Sequence, residues 1–175
     1  MLQTADERFE RIADRTRQQL HNLFTPVAIT VDLLAWQQLA LATSLDERLN
    51  SLPYLREALA QSAHLSALFI GYDDGDFFLL RPLSVDSPLR QTFNVPEPAR
   101  YLVQSIERDE ADAATGTFLF YDAQLNLLRR ELRLDYVFDP RQRPWHQGAR
   151  DQNHRVYIEP YLFFTTREVG ATLAR

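Results

Sequence analysis

Asp139-Pro140-Arg141-Gln142-Arg143-Pro144-Trp145-His146-Gln147-Gly148-Ala149 holds two prolines four residues apart, with Val156-Tyr157-Ile158-Glu159-Pro160-Tyr161 a few residues downstream. Each proline fixes its own φ and pushes the residue before it toward extended geometry, so the segment is a shaped loop that displays side chains. Arg143 and Trp145 lie two apart and can face one side of it, joining a planar cation with five N–H donors to a large flat ring with one. Such a pair suits a small anion or carboxylate. The same residues also suit a plainer role, with Trp145 as a core anchor and Arg143 tying the loop to backbone carbonyls.

Upstream of this loop the periodicity is that of strands. His64 to Tyr72 is an apolar run, Asp73-Asp74-Gly75-Asp76 is a turn cluster, and Phe77 to Leu83 is a second run, which together predict a β-hairpin. The turn lacks the terminal glutamate of a calcium loop and reads as solvated. Residues 84–98, with Pro88, Pro96 and Pro98, predict a connection without regular structure. Tyr101, Val103, Ser105 and Glu107 alternate with Leu102, Gln104 and Ile106; further strands are predicted over Thr117–Tyr121 and Leu127–Leu134, the latter exposing Arg129, Arg130 and Arg133. Val156–Tyr161 and Glu168–Leu173 add two more.

The N-terminal part is helical. Phe9, Ile12, Thr16, Leu20, Leu23, Val27, Val31 and Leu34 recur at three- and four-residue steps, predicting one long amphipathic helix with a Thr4 to Glu7 capping box near its start and Pro26 inside it. Its C-terminal half should pack on the sheet, and its N-terminal half offers a seam for a second copy. A shorter helix is predicted from a Ser44 cap, with Pro53 splitting it. The fold class is therefore α+β, an antiparallel sheet preceded by a long helix, divided as residues 1–44 (helix) and 45–175 (sensor-like body).

At 175 residues and 45% hydrophobic content the chain can bury a full core. A net charge of −5 argues against nucleic-acid binding, which needs a basic surface. The absence of cysteine removes disulfides and thiolate chemistry. Glycine, at five residues, is scarce, and no HExxH, GxSxG or phosphate-loop pattern occurs, so neither catalysis nor a cofactor is expected. His146, His154 and Asp151 carry no recognised metal spacing. Glu107 and Asp109 read as solvated turn residues, and His64 as a packed or capping residue opening a strand. No run reaches the 18 apolar residues of a membrane span, and Met1-Leu2-Gln3 opens no signal sequence.

Asp139 to Ala149 with Tyr157-Ile158-Glu159-Pro160-Tyr161 resembles the signature loop of the Cache domains, extracellular PAS-like sensors, and in particular the membrane-distal module of double Cache receptors. Ser66-Ala67-Leu68-Phe69-Ile70-Gly71-Tyr72-Asp73-Asp74-Gly75-Asp76-Phe77-Phe78 resembles the first hairpin of the same family, and the two together cover roughly residues 45–175. The resemblance implies a PAS-like fold whose sheet is incomplete at the C-terminus, and a ligand sensor on the periplasmic side of the cytoplasmic membrane. It further implies a membrane-anchored parent from which this piece is excised; the homodimer expected through the N-terminal helix rests on that helix's own apolar stripe. Arg143, Trp145 and Tyr161 match the family's amino-acid-binding pattern. Phe138 stands where that pattern has tyrosine, His146 replaces the tyrosine after the tryptophan, and Phe163 stands where an aspartate would meet the ligand's ammonium. Burying an ammonium without its carboxylate costs on the order of 3–5 kcal/mol. The expected ligand is thus a carboxylate or other small anion without an amine, held by Phe138, Arg143, Trp145, His146 and Tyr161; a ligand-free module that sets dimer geometry is the alternative. The ending Phe163-Phe164-Thr165-Thr166-Arg167-Glu168-Val169-Gly170 resembles members attached to nucleotide cyclases, HD-type phosphodiesterases or phosphatases more than chemotaxis receptors.

Overall fold

A computed structural model describes residues 2–134, 136–152 and 154–175. Helix α1 runs over Leu2–Ala35, three residues earlier at its start than the capping pattern predicts; the Thr4 cap itself falls on side chains outside those described. Pro53 does split the next helical stretch, into α2 (Leu45–Leu49) and α3 (Leu52–Ala60). Ser44 caps α2 by accepting from the Glu47 N–H at 3.4 Å, while the Glu47 carboxylate reaches back one residue further than a capping box requires, accepting from the Thr43 N–H at 2.7 Å.

Strands β1 (Leu68–Gly71), β2 (Phe77–Pro82), β3 (Tyr101–Arg108), β4 (Ala114–Tyr121) and β5 (Leu127–Arg133) form an antiparallel meander in sequential order. The β1–β2 turn falls where expected: Gly75 takes φ +91°, and the Asp74 carboxylate accepts from the Asp76 N–H at 2.9 Å; it is not solvated throughout, because Asp76 is buried and pairs with Arg48 at 2.6 Å. β6 (Val156–Leu162) and β7 (Val169–Ala174) pair only with each other, as a separate two-stranded sheet.

Register fixes what each face carries. Phe78, Leu80, Val103, Leu119 and Tyr121 point to one side and pack with Leu34, Leu45, Leu52, Leu55 and Leu59 of the helices. Phe77, Leu79, Arg81, Leu102, Gln104, Ile106, Phe118 and Phe120 point to the other. The alternation in β3 suggests one wetted face, yet Leu102 to Ile106 are all buried, because the second face is covered as well. One cover is the segment 84–98, which contains a one-turn helix α4 (Leu89–Thr92) where no regular structure is expected; Leu89 and Phe93 pack there on Leu102, Phe118 and Phe120. Arg129 and Arg133, expected to be exposed, cap this cluster. Arg129 lies 4.3 Å from the Phe120 ring centroid and donates to the Phe93 carbonyl at 2.6 Å, and Arg133 stacks 4.9 Å from Phe93. Glu107 is likewise not free in solvent, since it accepts from the Leu45 N–H at 3.2 Å and so anchors α2. His64 sits exposed in a turn before β1 rather than opening a strand.

The other cover is α5 (Pro144–Asp151) with the β6–β7 hairpin. The two prolines of the loop act at helix starts. Pro140 opens a short 3₁₀ helix (Pro140–Gln142) and Pro144 opens α5, and the residues before them, Asp139 (φ −124°, ψ 113°) and Arg143 (φ −95°, ψ 141°), are extended as their position demands. The Asp139 carboxylate accepts from the Arg141 N–H at 2.9 Å and from its Nε at 3.0 Å, which holds that carboxyl below the usual range.

A cavity between the long helix, the sheet and the C-terminal hairpin

Because β6–β7 stands off the main sheet, a space of about 560 Å³ remains, walled by the C-terminal half of α1, the β1–β2 end of the sheet, α5 and the hairpin. That is within the ordinary range for a small-molecule site. Phe138, Arg143, Trp145, His146 and Tyr161 all line it, so the geometry brings together the five side chains singled out from the sequence.

Their environments differ. Trp145 is buried in the first turn of α5, 4.8 Å from Phe69 edge-on, and its ring rests on Gly71, where a Cβ would come within 2.6 Å of Cη2. It is therefore a core anchor as well as a wall, and Gly71 is the residue that lets it approach. Phe138 packs 4.7 Å from Phe77 and 5.3 Å from Phe164. The Arg143 guanidinium lies 4.9 Å from both the Phe138 and Phe164 ring centroids, and its Nε is buried without a hydrogen-bond partner. It does not tether the loop to carbonyls: no side-chain hydrogen bond joins it to a described residue. His146 is buried with Nδ1 unpartnered, and its Nε2 is 3.9 Å from the exposed Asp73 carboxylate. The Tyr161 hydroxyl pairs with Thr172 Oγ1 at 2.9 Å. Burial pushes the Tyr161 phenol up from its ordinary value, against the opposing effects of that hydrogen bond and of the Arg143 charge.

Arg81, not among the residues that the sequence points to, joins them at the cavity. It sits near the end of β2, only 8% exposed, facing the cavity beside Tyr136, with its Nε unpartnered. Its signal in the sequence is a cation at an inward position of Phe77-Phe78-Leu79-Leu80-Arg81, in phase with Phe77 and Leu79. Burial lowers its pKa, with Glu168 and Tyr136 opposing, but a guanidinium so far above neutrality stays charged.

The electrostatic balance follows. Among the described lining residues the one acid is Asp73, whose side chain is 92% exposed at the rim. Arg175 also lines the space but is engaged with Asp32 at 2.9 Å. A positive cavity in a chain of net charge −5 favours anions, and among the described lining residues the one counter-charge for an ammonium is Asp73 at the rim. Phe163 lies over Gly170 and edge-on to Tyr161 at 5.1 Å. His154 and Asp151 are exposed while His146 is buried, and no three His, Asp or Glu side chains among the described residues converge as metal ligands.

The chain is similar to adenylate cyclase 1 of Rhizobium meliloti (strain 1021), at 28% identity over 172 residues, 98% of this chain. It spans about a quarter of that relative, 26% of its length. No family model matches the chain, and no solved structure does.

Proposed function

We propose that this chain is the extracytoplasmic ligand-sensing module of a membrane-anchored bacterial signalling protein, one that binds a small carboxylate or similar anion lacking an amine and passes its occupancy on through α1. The single observation carrying this reading is the cavity with an aromatic-stacked Arg143, unpaired among the described residues, on one side and the C-terminal half of α1 on the other. A ligand that binds one arrangement of those walls better than another shifts the helix by that difference in affinity. Similarity to a quarter of a cyclase fits a module that serves an output domain elsewhere in a longer chain. The chain itself carries no catalytic role in this reading.

Self-association belongs to the same reading. Phe9, Ile12 and Leu20 are 71%, 56% and 49% exposed at helical spacing, which suits a two-stranded seam with a second copy. That surface also favours the second reading, in which the module binds nothing and only sets dimer geometry.

The deciding test is thermal unfolding against carboxylates, amino acids, amines, purines and sugars, with Arg143→Ala alongside. A carboxylate at about a hundredfold over its Kd should add roughly 2.7 kcal/mol, a shift of several degrees, and the variant should lose it. An equal shift in Arg143→Ala, or none with any anion, would sink the sensing role, and turnover of ATP by the isolated chain would replace it with a catalytic one. Sedimentation showing only monomer at high concentration would remove the seam.

A further inference from the structure

Resting on the reading of the cavity as an anion site, we infer that its ligand is a dianion, a short dicarboxylate whose two ends are held by Arg143 and by Arg81. Arg81 is the stronger clue of the two. It is more than nine-tenths buried, yet no acidic group among the described residues lies within ion-pair distance of it, and its Nε is without a partner. The other strongly buried guanidiniums among the described residues have partners in the fold: Arg48 meets Asp76 at 2.6 Å, although its Nε and Nη1 are unpartnered, and Arg108, with an 11% exposed side chain, donates to the carbonyls of Gly75, Asp112 and Phe138. A guanidinium largely buried near the end of β2, with no ion-pair partner among the described residues and only the more distant Glu168 acting on its charge, is unfavourable for folding, so its retention points to a charge supplied from outside.

The two cations reach the cavity from different walls. Arg81 rises from β2 in the row Arg81, Leu102, Phe120, and Arg143 projects from the extended residue before α5. The rings between them form a continuous apolar lining: Arg143 stacks on Phe164, Phe164 is 5.6 Å from Tyr136, and Tyr136 neighbours Arg81. Two anion anchors separated by ring faces suit two carboxylates separated by methylene groups. A guanidinium binds a carboxylate through paired, charge-assisted hydrogen bonds, and the methylenes lie against the rings. Tyr136 is the hinge of this floor, its hydroxyl bonded to Gln104 Nε2 at 3.3 Å and Thr165 Oγ1 at 2.7 Å, which fixes the ring beside Arg81.

The experiment is calorimetric titration of the full 175-residue chain with succinate against butyrate, and glutarate against valerate, matched pairs differing in one carboxylate. Wild type should bind the better dicarboxylate at least about tenfold more tightly than its monocarboxylate, the scale of one charge-assisted contact. Arg81→Met should erase that ratio while leaving monocarboxylate affinity in place, Arg81→Lys should restore part of it, and Arg143→Gln should weaken both classes. Equal wild-type affinity for the two classes, or an Arg81→Met protein with the ratio intact, overturns the dianion and leaves the anion site standing. No binding of either class by wild type overturns both. The wild-type comparison decides the matter even if Arg81→Met fails to fold.

Discussion

On the helix side of the sheet Arg48 is wholly buried and meets Asp76 at 2.6 Å; on the cavity side Arg81 is nearly as buried and meets no acid among the described residues. The first guanidinium is also stacked 4.4 Å from Tyr72, whose hydroxyl donates to the Leu39 carbonyl at 2.6 Å and whose phenol burial pushes up to about 12. Asp76 in turn accepts from the Arg108 N–H at 2.7 Å, so one ion pair ties α2, the β1–β2 turn and β3 together. The difference separates two uses of a buried charge. Where an ion-pair partner is built into the fold, the cation is structural; where none is met among the described residues, the cation is the proposed socket.

The largest effect should come from breaking the paired side. Asp76→Asn leaves Arg48 charged, dry and alone, and should cost on the order of 3–5 kcal/mol by chemical denaturation. A loss under 1 kcal/mol would mean that water reaches Arg48 and that the contrast with Arg81 is false. Next comes Gly71→Ala. Its new methyl meets the Trp145 ring and Pro140, and overpacking of this kind costs about 1–3 kcal/mol while displacing the Arg143 loop, so stability and ligand affinity should fall together. Arg81→Met sharpens the comparison from the other side. Without ligand it should leave the melting temperature unchanged or raise it, the opposite sign to Asp76→Asn, and a clear drop would show that Arg81 already has a partner in the fold.

The smallest effect concerns acid. Asp139 has its folded-state pKa depressed by the Arg141 hydrogen bonds, so its contribution is present above the unfolded carboxylate value and is lost as pH falls through the folded one. Melting curves taken from pH 6 downward should show wild type losing an advantage over Asp139→Asn of about 1 kcal/mol or less. A constant gap between the two proteins would place that carboxylate's role in shape alone.

Much of the architecture was legible, and for local reasons. The hairpin turn at Asp73–Asp76 and the prolines at 140 and 144 act through the backbone of one or two residues, so spacing alone places them. Phe138, Arg143, Trp145, His146 and Tyr161 line one cavity; the family resemblance, not the spacing of the residues, singles out that set. What escaped was set by the far side of the sheet. Arg129 reads as an exposed strand charge, Glu107 as a solvated turn residue and Arg81 as one charge within an apolar run; covers over the second face take Arg81 and Arg129 out of water, and α2, on the helix side, engages Glu107. The separate pairing of β6 and β7 escaped for the same reason, since strand partners are chosen by packing and not by either strand's own pattern.

The length of α1 has a mechanical meaning. Every side chain from Glu7 to Asn22 is exposed, whereas Leu34 is buried and Val27 and Val31 wall the cavity, so the helix is a beam clamped at one end. Asp32 strengthens the clamp through Arg175 and Arg155 at the far ends of the hairpin strands. At 1.5 Å per residue, the exposed stretch of α1 ending at Asn22 reaches about 30 Å back to Leu2, so a tilt of about 5° at the clamp carries Leu2 through about 2.6 Å. A movement too small to disturb the core therefore becomes, at the far end, a displacement comparable to half a helical turn.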